Sequence, residues 1–83
     1  MSDIIVNQVR EILVNVAKNI LDTEPLDYRL EFHKRAHVAL SKQYPEGYRV
    51  ALKRDGSVLC QITFNGEEHN LKLHGVVNDN LLV

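Results

Sequence analysis

The chain has 83 residues, a formal net charge of -1, 25% charged and 45% hydrophobic residues, and one cysteine. These values exclude a low-hydropathy disordered chain, a globally basic nucleic-acid binder and a fold held by internal disulfides. They describe one small domain that buries roughly 60–65% of its unfolded surface and therefore gains from self-association.

Residues 3–21 carry apolar side chains at helical spacing (Ile5, Val9, Ile12, Leu13, Val16, Ile20), with Asn7, Glu11, Asn15 and Lys18 on the other side. Ser2 or Asp3 caps the first turn. Val14 falls among the polar positions and is a candidate partner contact. A short connector, Asp22 to Leu26, predicts an antiparallel helical hairpin. The second helix is expected over 25–43, with Pro25 in its first turn and Tyr44-Pro45 as its stop. Its apolar positions, Leu26 and Leu30 included, spread over roughly 200° of the helical wheel, which predicts cover on two sides.

Three alternating runs follow, predicting strands at 48–53, 57–64 and 67–73. Asn65-Gly66 tolerates positive φ at both central positions of a type I′ turn, which pairs Phe64 with Glu67, Ile62 with His69, Cys60 with Leu71 and Val58 with Leu73. For Arg54-Asp55-Gly56, a two-residue loop would set Val50 against Gln61. A three-residue loop with a Gly56 bulge sets it against Cys60 and keeps one apolar face across all three strands. The expected fold is α+β, a two-layer αα-βββ domain with the helical hairpin on one face of an antiparallel meander. Asn78-Asp79-Asn80 is a turn signal, and the apolar residues Leu81, Leu82 and Val83 are expected to dock as a short fourth strand or to meet a second copy.

The chemistry-bearing residues are few. His33 and His37 stand at the i, i+4 spacing that lets two imidazoles reach one metal ion, and His69 projects from the inner face of the sheet. Were the second helix to cross mid-sheet, the three would form a His₃ zinc site with an open position, for which Cys60 is a candidate fourth ligand. No glutamate base follows His33, as it would in a zinc-protease motif. Cys60 reads as a small core residue, and Glu67 and Glu68 point to opposite faces of a strand and cannot act as a pair. No phosphate-cradling glycine loop occurs. Lys34, Arg35, Lys42 and Arg49 supply local positive charge for a nucleic-acid contact, but the outer sheet face carries no aromatic residue for base stacking.

The order of two helices then a meander containing Gly47-Tyr48-Arg49-Val50 is similar to part of the RelE-type ribosome-dependent toxins. A leading strand and a C-terminal cluster of basic and aromatic residues are missing, so no activity carries over. No signal peptide or apolar run of ~18–20 residues is seen, so a cytoplasmic location is expected. The reading that remains is a non-enzymatic protein-binding or regulatory domain, acting as a homodimer or on a protein partner through its strand edges and apolar tail. Accessory or inhibitory proteins of phage and mobile elements are often of this size and charge balance. A nucleic-acid-associated regulator and a zinc-binding domain are the alternatives.

Overall fold

The structure is a computed structural model and describes residues 3–74. The expected fourth strand and the Leu81–Val83 contact lie outside the described residues. Two helices, α1 (Asp3–Thr23) and α2 (Tyr28–Gln43), precede three strands, β1 (Gly47–Leu52), β2 (Val58–Phe64) and β3 (Glu67–Leu73). The strands form one antiparallel sheet in the order β1-β2-β3.

The sheet register follows from its turns. Val50 lies opposite Cys60, Leu52 opposite Val58 and Tyr48 opposite Ile62. Across the second hairpin Phe64 meets Glu67, Ile62 meets His69 and Cys60 meets Leu71. Asn65 and Gly66 both take positive φ, 54° and 80°, as a type I′ turn requires. In the first hairpin the Gly56 amide donates to Lys53 O (3.1 Å) and the Lys53 amide to Ser57 O (2.9 Å). With Gly56 at φ 89°, this is the three-residue loop closed by a glycine bulge. Asp55 Oδ1 locks it by accepting from the Ser57 amide (2.9 Å) and hydroxyl (2.7 Å), which satisfies a serine that is otherwise buried.

The helical hairpin starts and stops elsewhere than expected. α1 runs on to Thr23 and ends with Glu24 in the left-handed region (φ 46°), its amide bonded to Ile20 O at 3.1 Å. α2 begins at Tyr28 because Asp27 caps it: its side chain accepts from the Leu30 amide at 3.1 Å. Pro25 therefore sits in the connector, and Leu26 and Leu30 are solvent-exposed instead of belonging to the apolar arc. The buried stripe of α2 is Phe32, Ala36 and Leu40, continued by Tyr44.

Both helices reach the sheet. α2 lies along β1 and against α1, so it is covered on two sides, while α1 packs on β3. The spacing explains this. The outer strands of a three-stranded sheet are about 10 Å apart, which matches the 8–10 Å between packed helices. Two helices side by side thus straddle β2, whose side chains Val58, Cys60 and Ile62 fill the furrow beneath them. There they meet Val9, Leu13, Val16 and Ile20 from α1 and Phe32, Ala36 and Leu40 from α2. Tyr44 closes one end, edge-on to Phe64 with its hydroxyl donating to Gln8 Oε1 at 3.2 Å.

Candidate functional site

The helix-to-strand pairing decides which candidate residues meet. Because α2 lies over β1 and not mid-sheet, His33 and His37 face the β1 edge. They line a cleft of about 240 Å³ with Tyr48, Arg49 and Val50. His33 Nε2 lies 3.3 Å from Val50 O, a bond it makes when that nitrogen carries the proton. The Tyr48 hydroxyl lies 2.9 Å from the His37 ring nitrogens, the two rings edge to face with centroids 5.0 Å apart.

His69 is in the same cross-strand row as Tyr48 and Ile62 but two strands from Tyr48, about 10 Å across the sheet. Its ring is largely buried, with Nε2 4.0 Å from Glu67 Oε1. Within the described residues no set of three His, Cys, Asp or Glu is placed to hold one metal ion. The His33–His37 pair alone offers two imidazoles at helical spacing, to which a metal would have to add ligands from solvent or from another molecule. Cys60 is buried beneath the helices, and burial pushes its thiol up to about 11, so it is neither a ready ligand nor a nucleophile near neutral pH.

The basic candidates behave differently. Lys34, Arg35 and Lys42 line one groove, of about 470 Å³, between α1 and the outer side of α2. Its floor is apolar: Ile12 from α1, and Val38 and Ala39 from α2. Val38 is 49% exposed there. Lys34, Val38 and Lys42 follow one another at i, i+4, i+8 along one helical stripe, a spacing visible in the sequence. Glu31 at one end accepts from Arg35 Nε (2.7 Å) and lies 3.7 Å from Lys34 Nζ. The Arg35 hydrogen bond, with the Lys34 and Arg35 charges, holds the Glu31 carboxyl below the usual carboxylate range. Lys42, exposed, makes no ion pair among the described residues, leaving the other end of the groove cationic.

Arg49 lies apart, reaching a shallow depression on the outer sheet face with Ala51, Leu59 and Gln61. Val14 is half-buried on α1 and does not line the groove. The four basic residues thus divide between two faces of the domain. Compared with known protein families, curated proteins and solved structures, the chain gives no match. No helix among the described residues is long and apolar enough to cross a membrane.

Proposed function

We propose that this domain is a non-enzymatic protein-binding module, and that it takes an acidic amphipathic helix of a partner protein into the groove between α1 and α2. The observation that carries this reading is the exposed Val38 on an apolar floor beside Lys34, Arg35 and Lys42. An amphipathic helix docks by laying its apolar stripe in such a furrow while flanking carboxylates meet the rim cations. The α2 stripe from Glu31 to Lys42 extends for roughly 16 Å, enough for about three turns of an incoming helix. Nucleic acid suits the groove less well, since its lining holds no aromatic side chain on which a base could stack.

The test is a residue-resolved NMR titration with a designed leucine-striped, glutamate-flanked helical peptide, its sequence-scrambled control, a DNA duplex and a single strand. The reading expects saturable shifts at Ile12, Val38 and Ala39 with the striped peptide alone, lost in Val38→Glu and weakened in Lys34→Glu/Lys42→Glu. Shifts at these positions with the nucleic acids instead, falling steeply with salt, would replace it with the nucleic-acid reading. Silence of the groove toward every probe would remove it.

A further inference from the structure

The two edges of the sheet are not equivalent. α2 touches the β1 edge: His33 Nε2 lies 3.3 Å from Val50 O, and Arg29 Nη2 donates at 2.9 Å to Lys53 O just past the strand. The β3 edge has no such contacts among the described residues.

The register states which groups this edge offers. In a hairpin closed by a two-residue turn the flanking residues are hydrogen-bonded, and bonded and non-bonded pairs then alternate along the ladder. Phe64 with Glu67, Ile62 with His69 and Cys60 with Leu71 are therefore the bonded pairs. Glu68, Asn70 and Lys72 turn their N–H and C=O away from β2, toward the open side. All three are exposed.

We propose that two copies of this chain join through antiparallel pairing of their β3 strands, about a two-fold axis between the two Asn70 residues, to make one continuous six-stranded sheet. The charge pattern selects the occupant and the register. Centred on Asn70, Glu68 of each copy lies opposite Lys72 of the other, twice over by symmetry, and about six main-chain bonds close the seam. Centring on Glu68 or on Lys72 sets like charges face to face. Centring on His69 or Leu71 leaves a charge opposite Asn70. In the single chain the Glu68 carboxylate accepts from Gln61 Nε2 at 3.1 Å through one oxygen, and the other remains for Lys72 of the second copy.

The test is sedimentation equilibrium of the full chain from micromolar to millimolar concentration. Wild type is expected to dimerise, and Lys72→Glu and Glu68→Lys to weaken the dimer each by about tenfold or more, because each brings like charges together at two places. Mixed in equal amounts the two variants should form a heterodimer as strong as wild type. In it the carboxylate introduced by Lys72→Glu faces the ammonium introduced by Glu68→Lys, and the unchanged Glu68 of the first variant faces the unchanged Lys72 of the second. Asn70→Pro deletes an N–H that faces outward and not toward β2, so the monomer should keep its circular dichroism spectrum and lose the dimer. A wild type that stays monomeric at millimolar concentration would overturn the proposal. A dimer indifferent to Lys72→Glu and Asn70→Pro, or a mixture no stronger than its components, would also overturn it.

Discussion

Glu46 makes a contact whose energy can be worked out and measured. Its carboxylate spans two backbone donors at the tip of the β2–β3 hairpin, Asn65 N at 2.8 Å through Oε2 and Gly66 N at 3.2 Å through Oε1. It thereby ties the α2–β1 connection to a turn 19 and 20 residues away in sequence. Two charge-assisted bonds at about 1.5 kcal/mol each, less about 1.5 kcal/mol for freezing a glutamate side chain, leave about 1.5 kcal/mol net. Glu46→Ala should therefore lower Tm by roughly 6–12 °C for a domain of this size. Glu46→Gln keeps one acceptor oxygen and should fall about midway. Urea unfolding at neutral pH supplies the measurement. The midpoint should drop at constant slope, because the surface exposed on unfolding does not change. Amide exchange at Asn65 and Gly66 should speed up selectively in both variants. A Glu46→Ala protein within about 0.3 kcal/mol of wild type, with exchange at those amides unchanged, would refute the clamp; the threshold is set by typical coupling error.

Asp27→Ala removes the side-chain acceptor for the Leu30 amide and should cost about 1 kcal/mol in chemical denaturation, with Asp27→Asn near wild type. Gly56→Ala forces a side chain into a left-handed position at φ 89° and should cost about 1–2 kcal/mol, whereas Gly66→Asn in the other turn, at φ 80° with open space around it, should be far milder. Cys60 should resist alkylation in the native state near neutral pH and react on unfolding. Its thiol, raised from 9.0 to about 11 by burial, makes stability full below pH 9 and lost progressively as pH rises through about 11, a limb that Cys60→Ala should flatten in alkaline urea titrations.

The sheet was legible because strand periodicity and turn chemistry are local. Alternation assigns each side chain of β2 to a face, Asn65-Gly66 admits one turn geometry, and the demand that Val50 share a face with Cys60 selects the Gly56 bulge over the tighter loop. The start of α2 was less legible because two local signals compete. Pro25 is acceptable in a first helical turn, yet Asp27 can accept from Leu30, and the hydrogen bond wins. Leu26 and Leu30 were misread with it, since an apolar residue counted on a helical wheel says nothing of whether another element covers it. Glu46 gave no signal, because an exposed glutamate far in sequence from its acceptors has no period to reveal it.

The candidate surfaces show where sequence reasoning stops. A helical wheel tells how much of a helix is buried but not which strand lies beneath it, so the meeting of His33, His37 and His69 depended on an unknown. With α2 over β1, that pairing places the two helical histidines at the sheet edge and His69 on the far strand. The same placement sets α2 side chains against part of the β1 edge and leaves the β3 edge, among the described residues, without such contacts. The charges of β3 then acquire a meaning that composition cannot supply, since Glu68 and Lys72 are four residues apart and pair with each other's copies only if Asn70 is the centre. The groove carries the same lesson in helical form. Lys34, Arg35 and Lys42 look like a solvated charged face until Val38 and Ile12 are found to form a floor beside them. Cations next to an exposed valine favour an apolar partner with acidic flanks over a phosphate backbone, because the phosphate would use the charge and leave Val38 in water.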